Sequence, residues 1–228
     1  MTSQNHRGRE SLIKFAPEGY PFMAAFAALS AAALLLPGHF GRVAAGVLLV
    51  VALFMAYFFR DPERTPAERE GYLAPADGKV IVVKEAYEGG HLKKNALQIS
   101  IFMSPLDVHV NRAPCEGEVV EVKHTPGRYF AAYKDDAHLK NENTAMLLKC
   151  GEDSVLLRQV AGFVARRTVC RVRPGDALAR GQRFGIIKFS SRVDVYLPLG
   201  SAAKVKTGDR VRAGETVIAV GRRKKEGM

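Results

Sequence analysis

Gly175-Asp176-Ala177-Leu178-Ala179-Arg180-Gly181-Gln182-Arg183-Phe184 recurs 33 residues later as Gly208-Asp209-Arg210-Val211-Arg212-Ala213-Gly214-Glu215-Thr216-Val217. The shared pattern, Gly-Asp-x-apolar-x-x-Gly-x-x-apolar, makes a turn and re-enters a strand. Across the neighbouring sequence, short β-branched runs recur between turn signals: Val80–Val83, Leu97–Met103, Glu118–His124, Ala145–Lys149, Val155–Val160 and Val164–Val172. Cys150-Gly151-Glu152-Asp153 lies between two of them and reads as a hairpin turn. One short helix is expected within 129–140. The pattern predicts a mainly β chain with a few short helices, of α+β class.

The amino-terminal quarter is different. Residues 20–59 hold 32 hydrophobic residues out of 40 and one charge, Arg42, whereas the chain as a whole is 47% hydrophobic. Two apolar runs, Pro21 to Leu36 and Val43 to Phe59, flank a breaker at 37–42. At 1.5 Å per residue they reach about 24–26 Å, slightly less than a hydrocarbon core of roughly 30 Å. A thin transmembrane hairpin and a re-entrant anchor both fit. Arg7, Arg9 and Lys14 precede the runs and Arg60, Arg64 and Arg69 follow them, so the positive-inside rule puts both flanks in the cytoplasm. A cleaved signal peptide is disfavoured by the second apolar run, and a soluble core hairpin by the lack of a polar face. The expected organisation is a polar segment 1–19, a membrane-associated apolar hairpin 20–59, a linker 60–71 and a β-rich body 72–228.

Net charge is +11, divided as +2 for residues 1–69 (7 basic, 5 acidic) and +9 for residues 70–228 (27 basic, 18 acidic). The body therefore carries the positive field. Cys115, Cys150 and Cys170 show no C-x-x-C spacing and no neighbouring histidines, and read as reduced, buried thiols of a cytosol-facing domain. Neither a metal site nor a disulfide framework is expected.

The repeat resembles the flattened, barrel-sandwich-like β-sandwiches of biotinyl and lipoyl carriers. A carrier needs an acceptor lysine at a hairpin tip between the two halves. Lys188 is the lysine beside the turn at the middle of that stretch, and it lacks the flanks such a tip shows. What lies between the repeats instead is Phe184-Gly185-Ile186-Ile187-Lys188-Phe189-Ser190-Ser191-Arg192-Val193-Asp194-Val195-Tyr196-Leu197-Pro198, two apolar strand-like runs around a Ser-Ser-Arg turn.

This segment resembles the self-cleavage region of phosphatidylserine decarboxylases, most closely the short bacterial and archaeal type. Matching segments occur in the right order over about residues 55–220. They are Phe59-Arg60-Asp61-Pro62, Ala74-Pro75-Ala76-Asp77-Gly78, Met103-Ser104-Pro105-Leu106-Asp107-Val108-His109-Val110-Asn111-Arg112-Ala113-Pro114, Asn141-Glu142-Asn143-Thr144 and Gln159-Val160-Ala161-Gly162-Phe163-Val164-Ala165-Arg166-Arg167. Their joint occurrence is specific where each alone is not.

The resemblance implies a proenzyme that cuts itself between Ser190 and Ser191 into a β chain, 1–190, and an α chain, 191–228. Ser191 becomes a covalent pyruvoyl cofactor; neither metal nor pyridoxal phosphate is implied. A Schiff base between that ketone and the serine head group would give phosphatidylethanolamine and CO2. Asp77 and His109 are implied as helpers in serine activation or proton transfer, although Asp77 before Gly78 also suits a turn and His109 also suits hydrogen-bonded packing. Arg112 and Arg192 are candidate head-group contacts. His124 and His138 read as surface residues.

Two positions depart from the family pattern. Arg112 stands where longer members have a second histidine, which puts the assignment of the base on His109 or another group. Ser190 replaces the glycine common before the cleaved bond, so cleavage is expected to be slower, and the serine pair leaves the scissile bond ambiguous until the Arg-Val-Asp register selects Ser191. The implied partners are phosphatidylserine at an anionic surface and the two cleaved chains, at the cytoplasmic face of the cell membrane; a homo-oligomer is compatible with the sequence. Arg166-Arg167 and Arg222-Arg223-Lys224-Lys225 are candidate lipid-contacting clusters, or solvated charge. The rival reading is a membrane-tethered carrier or adaptor without catalysis. Nucleic acid is not an expected partner, because no aromatic platform motif accompanies the charge.

Overall fold

A computed structural model describes residues 14–68, 70–127, 141–162, 167–189 and 191–221. The helix expected within 129–140 lies outside them, as do Ser190, Arg166, His138 and the basic run 222–225. The chain forms two compact units, Met1–Glu63 and Arg64–Met228.

In the first unit, α1 (Tyr20–Ala33) and α2 (Gly38–Phe58) pack as a hairpin. Ser30 Oγ donates to the Ala45 carbonyl at 2.8 Å across the helix interface. The ends are tied: Ala16 N–H donates to Phe59 O at 2.8 Å and Asp61 N–H to Lys14 O at 2.7 Å. The breaker is shorter than expected, because Gly38–Arg42 begins α2 and only residues 34–37 turn. Gly41 permits this; a Cβ there would overlap Leu36 O. Among the described residues, only α2 is long and apolar enough to cross a membrane, at about 31 Å. Leu35 at 86% exposure and Phe40 at 76% show that the outer surface of the hairpin is apolar.

The second unit contains fourteen strands among the described residues. They are β1 (Tyr72–Leu73), β2 (Gly78–Glu88), β3 (Lys94–Met103), β4 (Val110–Arg112), β5 (Gly117–Thr125), β6 (Asn143–Cys150) and β7 (Asp153–Ala161). After these come β8 (Thr168–Cys170), β9 (Ala177–Leu178), β10 (Arg183–Ile187), β11 (Ser191–Pro198), β12 (Ala202–Ala203), β13 (Arg210–Val211) and β14 (Val217–Val220). Eight form one antiparallel sheet in the order β13-β2-β3-β11-β7-β6-β5-β9, and the rest form two three-stranded sheets, β1-β14-β12 and β4-β10-β8. The chain is mainly β, as its pattern of runs and turns predicts. Val193, Val195 and Leu197 of β11 join Ile99, Ile101 and Leu157 in a closed apolar core between the sheets. The intervening residues Arg192, Asp194 and Tyr196 face the other way, in keeping with the two-residue period of a strand.

The repeat proves to be a structural duplication. Its two copies supply β9 and β13, the opposite edges of the large sheet. In each copy the aspartate Oδ2 accepts the N–H three residues earlier, Arg173 to Asp176 at 2.7 Å and Lys206 to Asp209 at 2.9 Å. Gly175 N–H donates to Val119 O and Gly208 N–H to Val80 O, at 2.8 and 2.9 Å. The segments met by these contacts repeat as well: Ala74-Pro75-Ala76-Asp77-Gly78 has its counterpart in Ala113-Pro114-Cys115-Glu116-Gly117.

The reading of three reduced thiols is corrected. Cys115 and Cys150 form a disulfide, with Cα atoms 6.5 Å apart, and Cys170 is free. The pairing of Glu118 with Lys149 brings the start of β5 beside the end of β6, within bonding reach. A separation of 35 residues hides this proximity in the sequence.

Candidate active site

Ser191 is the first residue of β11, a central strand hydrogen-bonded on both sides. Its neighbours across the ladders are Met103 of β3 and Ala161 of β7. The side chain is fully buried, and its hydroxyl donates to Met103 Sδ at 3.3 Å. A thioether is a weak acceptor, so the contact orients the hydroxyl without strongly binding its proton. Ala161 is in turn held by the Asn141-Glu142-Asn143 segment: Asn141 Nδ2 donates to Ala161 O at 2.7 Å and Ala161 N–H to Glu142 O at 2.9 Å.

The approach to Ser191 is strained. Phe189, two residues before it, has φ of 60°. A bulky non-glycine residue holds this left-handed conformation at a cost on the order of 1–3 kcal/mol.

His109 precedes β4 and is fully buried. Its Nδ1 lies 2.9 Å from Asp107 O, and a carbonyl can only accept, so Nδ1 carries the proton. In the neutral ring Nε2 is then the basic nitrogen, the tautomer a general base needs. The His109 carbonyl accepts Ile187 N–H at 3.4 Å, placing the histidine beside the chain that leads through Phe189 to Ser191. Asp107 fixes the preceding turn by accepting from Ser104 N–H at 2.8 Å and Ser104 Oγ at 2.7 Å.

Asp77 leads into β2 and is buried. Oδ1 accepts Ala213 N–H at 2.7 Å, and Oδ2 accepts Arg64 Nη2 at 2.9 Å. Burial raises its carboxyl above the ordinary 3.8; Arg64 and the Ala213 N–H pull it back, and the neighbouring Asp107 pushes it up further. Gly78, with φ of 148°, lets β2 close on β3, since a Cβ there would lie within van der Waals overlap of Phe102 O. Ser191 pairs with Met103, the last residue of β3, and Asp77 leads into Lys79 opposite Phe102, so these two lie at the same end of the large sheet.

The two candidate cations are also buried. Arg112 donates from Nη1 to Gly181 O at 3.1 Å, its stem lying against Gly214. Arg192, 1% exposed, faces the other side of the sheet from Ser191; its Nε donates to Asp194 Oδ1 and its Nη2 to Ser100 Oγ at 3.0 Å.

Met103, Asn111 and Gln159 join the site although the sequence does not single them out, and all three lie in the quoted motifs. Gln159 Nε2 donates to Asn111 Oδ1 at 2.8 Å inside the core. Polar residues in otherwise apolar strands are the signal that marks this pair.

The phosphatidylserine decarboxylase sequence model matches residues 51–219, a span that contains every residue of this site. The chain belongs to the phosphatidylserine decarboxylase family. It is therefore an enzyme of the carboxy-lyase class. Among its relatives, the phosphatidylserine decarboxylase proenzyme of Citrifermentans bemidjiense is 43% identical over 211 residues, covering 90% of this chain and 95% of that protein. That of Pelobacter propionicus is 45% identical over 210 residues, covering 88% and 94%. The Nitrosomonas europaea proenzyme is 44% identical over 206 residues, covering 90% and 94%.

Proposed function

We propose that the chain is a self-cleaving proenzyme that decarboxylates phosphatidylserine to phosphatidylethanolamine, with Ser191 as the nucleophile of its own maturation. The observation that carries this reading is Ser191 at the start of a central strand, two residues after a left-handed Phe189. Ser191 Oγ attacks the carbonyl carbon of Ser190 as His109 Nε2 takes its proton, and the peptide becomes an ester. Elimination across Cα–Cβ of residue 191 frees the carboxylate of residue 190, and water replaces the nitrogen, which leaves as ammonia. A pyruvoyl group at residue 191 supplies the carbonyl electron sink that no side chain offers.

In turnover His109 returns a proton to the carbon that has lost CO2, its ring oriented by the Asp107 carbonyl. Asp77, raised by burial and steadied by Arg64, is suited to hold or release a proton at its end of the sheet. Arg112 is the proposed cation for the acidic head group; Arg192 is held by Asp194 and Ser100 on the face of β11 turned away from Ser191 and is not assigned to it. The apolar hairpin of α1 and α2 is the proposed anchor, with the enzyme at the cytoplasmic face of the cell membrane and the basic body drawn to anionic lipid.

Denaturing mass spectrometry tests maturation. The expected result is loss of the 24.9 kDa chain and appearance of a 38-residue fragment, 191–228, blocked at its amino end. Ser191→Ala should abolish both cleavage and CO2 release; a Ser191→Ala protein that still releases CO2 refutes the reading.

A further inference from the structure

Gln159 is 1% exposed and Asn111 fully buried, in a core that is otherwise apolar. Gln159 lies opposite Val193, and Ser191 opposite Ala161, so Gln159 shares the core face with Ser191 and is its diagonal neighbour across the ladder. Such neighbours lie about 7–8 Å apart, within reach of a long side chain. The orientation of its amide is set by its surroundings. Nε2 meets two acceptors, Asn111 Oδ1 at 2.8 Å and Val169 O at 3.4 Å, so the nitrogen lies on that side and Oε1 on the other. Asn111 is held in turn, its Nδ2 directed to Pro75 O at 3.5 Å and to Met103 Sδ at 3.9 Å, the same sulfur that receives the Ser191 hydroxyl. Gly185 leaves room for the pair, since a Cβ there would lie 3.0 Å from Gln159 Nε2.

Gln159 Oε1 has no hydrogen-bond partner among the described residues. A buried acceptor left unmatched is disfavoured in a folded core, so one on the face it shares with residue 191 calls for a donor. The donor the reaction brings to residue 191 is the primary amine of the serine head group. We propose that Gln159 Oε1, positioned by Asn111, accepts an N–H of the substrate amine and aligns it with residue 191. This rests on the proposed decarboxylase reading and adds to it a subsite for the amine alone.

The test uses full-length mature protein whose ketone has been reduced with borohydride, so that binding is read without turnover. Short-chain phosphatidylserine and short-chain phosphatidic acid, which shares the phosphate but lacks the amine, are titrated calorimetrically into the wild type and Gln159→Leu. The expected result is that Gln159→Leu matures as the wild type does, binds phosphatidylserine at least tenfold more weakly and binds phosphatidic acid within twofold. Equal weakening for both lipids, or undiminished phosphatidylserine binding by Gln159→Leu, overturns the proposal. If Gln159→Leu does not mature, Gln159→Met carries the same expectation; failure of both places the residue in folding or cleavage and also overturns it. Absence of cleavage in the wild type is a separate outcome, which rejects the maturation reading and the amine subsite with it.

Discussion

Ser191 Oγ donates to Met103 Sδ across the β3–β11 ladder at 3.3 Å. The hydroxyl of the proposed nucleophile is thus oriented by an atom too weakly basic to hold its proton. Met103→Leu keeps the volume and removes the acceptor; stability should change by less than about 1.5 kcal/mol. Cleavage should continue within about threefold, because sulfur is a weak acceptor. Time courses of the 38-residue fragment on denaturing gels read the effect, and complete loss of cleavage would assign the sulfur a chemical part.

His109→Asn preserves a donor for the Asp107 carbonyl and removes the basic nitrogen. Cleavage and CO2 release should both slow by about 10²–10⁴-fold, the usual contribution of a general acid–base group. Rates equal to wild type would move the base elsewhere.

For Asp77 the effect on stability has a definite sign. The folded-state carboxyl titrates above its ordinary 3.8, principally through burial. Between 3.8 and the raised value the native state therefore holds more protons than the unfolded chain, and stability declines as pH rises through that window. Asp77→Asn should lack this decline. Urea midpoints measured across acid pH check it; parallel profiles for the two proteins would contradict it.

Reduction of Cys115–Cys150 releases a crosslink spanning 35 residues. Loop-closure entropy makes this worth about 3–4 kcal/mol. Denaturation with and without reductant should show a loss of that order, and the Cys115→Ser/Cys150→Ser double variant should match the reduced protein and show no response to reductant.

Much of the fold is legible in the sequence because the runs 97–103, 155–160 and 193–197 combine β-branched residues with short turns, which only strands accommodate. The breaker is the exception at its far end: Gly38-His39-Phe40-Gly41-Arg42 has poor helix propensity, yet it winds into α2 because Gly41 allows close approach to Leu36. The disulfide and the Asn111–Gln159 pair depend on contacts 35 and 48 residues apart, which no local pattern encodes. The Ala-Pro-x-acid-Gly duplication at 74–78 and 113–117 is visible in the chain, but five residues carry little weight until the fold gives both copies equivalent contacts. Ser191, His109 and Asp77 stand out in the sequence only through motif resemblance. The burial of Ser191 beside Met103 comes from β11 pairing with β3, a long-range fact.

If the proposed cut before Ser191 is made, the position of β11 between β3 and β7 also governs the fate of the broken chain. The new terminus begins inside two hydrogen-bonded ladders, and the same fragment continues through β12, β13 and β14 into two different sheets. Departure of the fragment would require unzipping the middle of the large sheet, so the cut chain remains one cooperative body. Separated pieces have no ready route back, since β3 and β7 would have to stay apart until the missing strand returned; maturation is in this sense irreversible by architecture as well as by chemistry.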